Sequence, residues 1–262
     1  MQATHHFEAM LSNVFRGVAA VGVNNLFLGL FITSPGNSGQ DGIEVSYAGY
    51  VRQPIGFIAP YAESNRVNTR NAADILFPLP TTDVADVAHL GVFDSAVPGS
   101  GNCFLYGSLT EPLPVRANVQ PHVAAGETRW FVLGDHSREW KTRAFNILRG
   151  QTFSGFSSHV ALFNGDPQDG GAELFGEAYE RVSVIFSAPS AQTGGATGIS
   201  NSETATFPRP LSEWGFWTHS AIMDRDTGGN PMFVLQTHSD PLLLRRGYRP
   251  RLNPGTITIA VD

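Results

Sequence analysis

The residues whose types and spacing could support chemistry are two histidines with matching surroundings. His89 and His219 each precede an apolar stretch, and an aspartate, Asp94 or Asp224, follows five residues later. An imidazole and a carboxylate can bind a metal ion or move a proton, but a zinc site needs three or four converging ligands. The remaining histidines do not recur at matching positions. We therefore predict that each is a half-buried, hydrogen-bonded histidine at the start of a strand.

Two glutamates, Glu44 and Glu173, could act as a general acid and a general base. They lie 129 residues apart, and each precedes an arginine, Arg52 or Arg181, by eight residues. We expect each glutamate to pair with that arginine or to face solvent. The glycine-rich phosphate loop and the Gly-x-Ser-x-Gly nucleophile elbow are absent from the sequence. The sequence thus predicts a protein that is not an enzyme, with no catalytic residue, cofactor or metal site.

The segment 224–230 contains many oxygen-bearing side chains, as a calcium-binding loop does. It lacks the twelve-residue pattern that ends in a bidentate glutamate. A hairpin turn is the better interpretation, because aspartate and glycine are the residues that such turns require. The same interpretation applies to its counterpart, 94–102.

Three aromatic residues, Trp214, Phe216 and Trp217, stand in one short run. The favoured interpretation is that they are half-buried residues of a core or an interface. The alternative is an exposed patch on which a sugar ring stacks. Trp214 and Trp217 are therefore the candidate glycan contacts.

The composition is that of a folded chain with many turns. Of 262 residues, 42% are hydrophobic and 15% are charged, and there are 28 glycines and 17 prolines. The formal net charge is −6 and no lysine or arginine run stands out, so neither nucleic acid nor a membrane is expected as a direct partner. The single cysteine, Cys103, is predicted to be a small buried hydrophobe.

The chain contains an internal repeat with an offset that stays between 129 and 133 residues. Three of the matches are Asn13 to Gly17 with Asn146 to Gly150, Tyr50-Val51-Arg52 with Tyr179-Glu180-Arg181, and Phe77-Pro78 with Phe207-Pro208. Their order never breaks, and the changes in offset fall in loops. We predict two copies of one domain, copy 1 over residues 4–134 and copy 2 over residues 135–262, each folding on its own.

Each copy begins with an apolar stripe at helical spacing and continues as short strands. Residues 7–15 and 140–148 carry the stripes, and the rest of each copy alternates apolar runs with turn residues. No strand-helix-strand period follows. The pattern predicts a mainly β protein of two tandem antiparallel β-sandwich domains, each preceded by a short N-terminal α-helix. A barrel is the alternative architecture.

Five short strings recur in the same order in both copies. In copy 1 they are Phe15-Arg16-Gly17, Leu28 to Phe31, Tyr50-Val51-Arg52, Phe77-Pro78 and Val92-Phe93-Asp94. In copy 2 they are Leu148-Arg149-Gly150, Val160 to Phe163, Tyr179-Glu180-Arg181, Phe207-Pro208 and Ile222-Met223-Asp224. This succession resembles a family of small tailed-bacteriophage virion proteins usually labelled tail-fibre or tail-fibre-like.

The resemblance implies a structural component of a tailed-phage virion, in the tail, neck or collar, baseplate or capsid decoration. Its partners would be other virion structural proteins and, in the particle, further copies of itself. The family brings no catalytic residues. The expected location is the virion, after synthesis in the host cytoplasm. The alternative function is a receptor-binding or glycan-binding adhesin of the tail.

Overall fold

The computed structural model describes residues 2–64, 66–132, 135–192 and 195–261. Of the chain, 37% is in strands and 9% is helical, which confirms the prediction of a mainly β protein. The two predicted helices are present. Thr4 and Ser137 cap them, since their side chains accept from the backbone N–H of Phe7 and Trp140.

The first half of the chain contains helix α1 and strands β1 to β10. The bounds are β1 Gln2–Ala3, α1 His5–Asn13, β2 Phe27–Phe31, β3 Gln53–Pro54, β4 Tyr61–Glu63, β5 Arg66–Arg70, β6 Ile75–Leu76, β7 Val87–Phe93, β8 Cys103–Leu113, β9 His122–Val123 and β10 Arg129–Val132.

Copy 2 contains helix α2, a 3-10 turn and strands β11 to β22. The bounds are α2 Arg138–Ile147, β11 His159–Asn164, the 3-10 turn Pro167–Asp169, β12 Ala172–Glu173, β13 Val182–Ser183, β14 Ser190–Ala191, β15 Thr197–Ser200, β16 Ala205–Thr206, β17 Gly215–Trp217, β18 His219–Met223, β19 Pro231–Gln236, β20 Leu242–Leu244, β21 Arg251–Leu252 and β22 Thr258–Val261.

One antiparallel sheet forms the centre of each copy. Its order is β1-β8-β7-β2-β3 in copy 1 and β12-β11-β18-β19 in copy 2, where β13 also pairs with β11. The register is equivalent in the two sheets, because Phe31 pairs with His89 and Phe163 pairs with His219. The repeat seen in the sequence is therefore a repeat of strand pairing as well.

The predicted pair of β-sandwiches is not the architecture that the structure has. A sandwich stacks two broad sheets face to face. Outside the two central sheets, the described strands form sheets of only two or three strands, and the arrangement is propeller-like. Short strands separated by glycine and proline give the same local pattern in both architectures, so the sequence pattern did not distinguish them.

The two copies meet in a reciprocal contact. The Ala20 N–H donates to the Phe153 carbonyl at 2.9 Å, and the Phe153 N–H donates to the Ala20 carbonyl at 2.9 Å. These two residues are equivalent, since their offset is that of the helices. Equivalent residues that bond each other are the mark of a two-fold contact between like subunits. The chain thus resembles a dimer whose two subunits have been joined.

The helices are exchanged across this two-fold contact. Helix α1 of copy 1 packs on β15 and β22 of copy 2, and α2 of copy 2 packs on β5 of copy 1. Glu8 on α1 accepts a hydrogen bond from the Thr197 N–H of copy 2 at 2.7 Å. Buried residues of both copies form one continuous apolar cluster. That each copy folds on its own stays a prediction.

Each copy also carries a long two-stranded ribbon. Ribbon 1 joins residues 74–87 to residues 113–125, and ribbon 2 joins the equivalent residues 204–217 and 242–254. Strand pairs β6 with β9 and β16 with β21 lie in them. The Val84 N–H donates to the Val115 carbonyl at 3.0 Å in ribbon 1, and the Trp214 N–H to the Leu244 carbonyl at 2.9 Å in ribbon 2.

Candidate interaction surfaces

Each copy contains a polar cluster that is built around the repeated glutamate, tyrosine and arginine. In copy 1, the Glu44 carboxylate accepts from Nε of Arg52 at 2.8 Å and from its Nη2 at 2.9 Å. Nη1 of Arg52 donates to the carbonyls of Ser95 and Ser100, at 3.2 and 2.7 Å. The guanidinium lies 3.5 Å from the ring centroid of Phe93. The cluster thus ties the edge of the sheet to the turn between β7 and β8.

The cluster in copy 2 repeats this geometry with one change. Arg181 donates to Glu173 at 2.8 and 2.7 Å, and to the carbonyls of Arg225 and Gly228 at 2.9 and 2.5 Å. Met223 stands where copy 1 has an aromatic ring. The hydrogen bond that Arg181 donates to Glu173 is the largest cause of a raised pKa for Arg181. The predicted glutamate–arginine pairing is confirmed in both copies.

The tyrosine of each cluster is held by two hydrogen bonds. The Tyr50 hydroxyl donates to Glu44 at 3.1 Å and accepts from the Leu30 N–H at 2.9 Å. Tyr179 makes the same two bonds in copy 2, at 3.1 and 3.0 Å. Burial, and then the neighbouring glutamate, raise the pKa of Tyr50, and burial raises that of Tyr179. Both phenols therefore stay protonated at neutral pH and act as fixed donors.

The two histidines lie apart from these clusters. Nδ1 of His89 is 3.1 Å from the Ser108 hydroxyl, and Nδ1 of His219 is 2.9 Å from that of Thr218. Both side chains are half-buried in a strand of the central sheet. Their half-buried, hydrogen-bonded setting is confirmed, but only His219 begins its strand, and His89 is the third residue of β7. No three metal-ligand side chains converge anywhere in the described part of the chain.

The two aspartates close equivalent hairpin turns, as predicted. Asp94 accepts from the Asn102 N–H and Asp224 accepts from the Asn230 N–H, each at 2.7 Å. Cys103 lies at the base of the first turn and is buried, as predicted, and burial raises the pKa of its thiol to about 12. Neither of the two described helices is long and apolar enough to cross a membrane.

The two candidate glycan contacts lie in the interior. Trp214 is 2% exposed and its Nε1 donates to the Glu177 carbonyl at 3.0 Å, and Trp217 is 4% exposed and donates to the Ser220 hydroxyl at 3.2 Å. Phe216 is exposed between them. A sugar cannot stack on either indole as they are placed here.

A groove lies beside each polar cluster and differs between the copies. It has a volume of about 370 Å³ in copy 1 and about 830 Å³ in copy 2. In copy 1 the Tyr47 ring covers Tyr50 at 5.3 Å, and the Tyr47 hydroxyl donates to the Pro78 carbonyl at 2.8 Å. Copy 2 has Gly176 at the position equivalent to Tyr47; there the Trp214 ring packs 5.1 Å from that of Tyr179, and Pro208 lines the groove.

A cluster of arginines on ribbon 2 was missed in the sequence. The stretch from 245 to 251 holds Arg245, Arg246, Arg249 and Arg251, and all four are exposed. The net charge of the whole chain is negative, so it gives no sign of these four arginines. A count of charge in a window of seven residues would have found them.

The doubled β fold with its paired clusters matches one family of known proteins. The family model of the podophage GP4 fiber I protein gp80 matches residues 2–130 and again residues 139–260. The chain therefore belongs to this family, and it contains the family's domain twice. The resemblance stated from the sequence is confirmed. The curated proteins include no match to the chain.

Proposed function

We propose that this protein is a structural part of the fibre of a podophage and acts by binding other virion proteins. The observation that carries the proposal is the family match over both copies. The polar clusters support it, because every described donor and acceptor in them is engaged in holding strands and turns together. Such clusters stabilise a scaffold and leave recognition to the outer surface. The name of the family favours the tail over the collar, the baseplate or the capsid surface.

The two family segments also support a division of the chain into copy 1, residues 4–134, and copy 2, residues 135–262. We propose that the duplication gives one chain two related surfaces for different neighbours. Binding through a second surface of the same chain is strengthened by a high effective concentration once the first is bound. The grooves and ribbons are where the copies differ, so they are the surfaces proposed to make these contacts.

Cryo-electron microscopy of intact particles tests this function. The expected result is density for the protein within a fibre, with more than about 1,000 Å² of its surface buried against other virion proteins, as specific interfaces require. Absence of the protein from purified virions, measured by mass spectrometry, would overturn the proposal.

A tail adhesin that binds a host glycan is the second candidate. The observation that favours it is the larger groove of copy 2, where Glu180, Asp226 and Arg249 offer polar groups to hydroxyls. Binding of labelled host glycans by the purified protein would be expected to fall when Arg249 is changed to alanine. Equal binding by a variant with an obstructed groove, Gly228→Trp, would count against this site.

A further inference from the structure

We propose that ribbon 1 of one molecule binds ribbon 2 of a second copy of this chain, in a head-to-tail contact. This inference rests on the proposed structural function and names one of its partners. It is based on the opposite net charges of the two ribbons and on the exposed apolar side chains that each of them carries.

The two ribbons have the same backbone pairing and opposite charge. Ribbon 1 has three aspartates, Asp74, Asp83 and Asp86, and one arginine, a formal charge of −2 with histidine neutral. Ribbon 2 has five arginines, Arg209, Arg245, Arg246, Arg249 and Arg251, and one glutamate, a formal charge of +4. All three aspartates and all five arginines are exposed. Faces of opposite charge attract each other and steer the approach of two molecules.

Each ribbon also exposes large apolar side chains. On ribbon 1, Leu76, Leu79 and Val119 are 53%, 51% and 56% exposed. On ribbon 2, Leu211, Phe216 and Tyr248 are 55%, 47% and 39% exposed. Apolar side chains within a polar surround are typical of surfaces that bind protein.

The arginines of ribbon 2 have no ion-pair partner within the part of the chain that the structure describes. No ion pair among the described residues includes any of the five ribbon 2 arginines. No hydrogen bond or ion pair between described residues joins the two ribbons. Each contacts strands of its own copy, β6 with β3 and β16 with β13. A second molecule can therefore supply the negative charges that these arginines do not meet among the described residues of their own chain.

A contact between two different faces leaves one unused face at each end of a pair. Further molecules can add there until the assembly closes as a ring or extends as a filament. Both are forms that a fibre component can use. A polyanion such as nucleic acid would match the arginines of ribbon 2, but it would gain nothing from Leu211 and Phe216 or from the acidic ribbon. The second copy satisfies all of these features.

Sedimentation velocity of the purified full chain over a range of concentrations tests the contact. The expected result is concentration-dependent association that weakens about tenfold or more when ionic strength rises from roughly 0.05 to 0.5 M, because exposed charges are screened. The first variant, Arg246→Glu with Arg249→Glu, reverses two charges of ribbon 2. The second, Leu79→Arg with Gln120→Arg, places on ribbon 1 the residues that ribbon 2 has at the equivalent positions, Arg209 and Arg249.

Each variant alone should remain monomeric, since its substitutions bring the formal charge of one ribbon to zero and that ribbon no longer attracts the other ribbon of its neighbour. Their mixture should form a one-to-one heterodimer, because the unaltered ribbon 1 of the first variant binds the unaltered ribbon 2 of the second. The two altered ribbons then have no binding partner, so no further molecule adds. The control, Arg138→Glu with Arg149→Glu, changes the net charge as the first variant does but outside the ribbons, and it should associate like the unaltered protein. Circular dichroism and melting temperature verify that all variants are folded.

Three results would overturn the inference: a monomer at every concentration, unchanged association of the ribbon variants, or a mixture that stays monomeric. Tight binding of a DNA or heparin oligosaccharide that Arg246→Glu with Arg249→Glu abolishes, in a protein that does not self-associate, would assign ribbon 2 to a polyanion and also overturn it. If the protein is monomeric and yet present in virions, this inference fails and the proposed function stands. Self-association of a protein absent from virions would leave the contact standing and remove the function.

Discussion

The two copies have the same interior bonding and different surfaces. Glu44, Tyr50 and Arg52 make almost the same hydrogen bonds as Glu173, Tyr179 and Arg181. Ribbons 1 and 2, with the same pairing, carry charges of opposite sign. Interior polar groups must be paired in either copy, whereas an exposed residue is constrained only by what it meets. After duplication, the hydrogen bonds of the polar clusters therefore stayed the same, while the exposed surfaces diverged.

The junction between the copies shows the same contrast. The two-fold contact is symmetric at Ala20 and Phe153, but its flanks differ. His136 precedes helix α2, and Ala3 occupies the equivalent place before α1. The His136 ring packs 4.0 Å from that of Trp140 and is buried. Copy 2 thus has a titratable group where copy 1 has a methyl group.

The largest effect is expected from breaking the two-fold contact. A Cβ atom at Gly22 would overlap the backbone of Gly150, and one at the equivalent Gly155 would overlap that of Gly17. We expect Gly22→Ala and Gly155→Ala each to lower the free energy of unfolding by about 3 to 5 kcal/mol, because backbone atoms have to move apart. Urea denaturation followed by circular dichroism measures this.

The matched control is Gly56→Ala. A Cβ atom there meets nothing within 4 Å, and Gly22, Gly155 and Gly56 all lie outside the left-handed region. Its unfolding free energy should change by less than about 1 kcal/mol. Equal losses in the control and in Gly22→Ala would show that the close approach is not what requires glycine.

Disrupting the two polar clusters should lower the free energy of unfolding by different amounts. The side chains of Arg52 and Glu44 are 2% and 11% exposed, and those of Arg181 and Glu173 are 8% and 27% exposed. Glu44→Ala leaves the more deeply buried guanidinium unpaired, so we expect a loss of about 3 kcal/mol, and about half of that for Glu173→Ala. Thermal unfolding of both variants compares them, and a larger loss in copy 2 would contradict the ranking.

The junction of copy 2 should be sensitive to acid. Burial, and then the charge of Lys141, lower the pKa of His136 to about 3 from 6.5. The unfolded chain takes up this proton as the pH falls below about 6.5, while the folded chain does not. The stability from the neutral ring is thus present above that pH and is lost as the pH falls toward 3.

Between pH 7 and pH 4.5 this loss amounts to roughly 2 to 3 kcal/mol. Urea unfolding of the unaltered protein and of His136→Gln at both pH values separates the contribution of His136 from the titration of the carboxylates. The variant should lose less stability on acidification by about that amount. Identical pH dependence in the two proteins would rule out His136 as the source.

The smallest effect is expected at the repeated histidines. His89→Ala and His219→Ala each remove one hydrogen bond from a half-buried ring, which corresponds to about 0.5 to 1.5 kcal/mol. The two losses should be similar, because each ring is half-buried and makes one side-chain hydrogen bond, His89 with Ser108 and His219 with Thr218. Melting temperatures measure them, and a loss above about 3 kcal/mol at one site alone would indicate a further role there.

Local patterns in the sequence were sufficient for much of the interior. The apolar stripe from Phe7 to Phe15 predicted α1. The repeated spacing of glutamate and arginine left pairing or exposure to solvent for each glutamate, and the structure has the pairing. The stretch 181–186 was less informative. Its β-branched and aromatic residues are typical of a strand throughout, but only Val182–Ser183 pairs with β11, and Arg181 turns into the polar cluster. At Arg181, the hydrogen bonds of the side chain thus outweigh the strand propensity of the segment.

The sequence by itself determined the duplication, the family, the helices and the partners of the repeated glutamates, since each depends on short-range spacing or on order along the chain. The tertiary structure decided which helix packs on which copy, that Trp214 and Trp217 face inward, and that Arg209 lies on one ribbon with the arginines of residues 245–251. These depend on contacts between residues far apart in the chain. The burial of a tryptophan and the grouping of charges are set by which segments come together, and no local pattern specifies that.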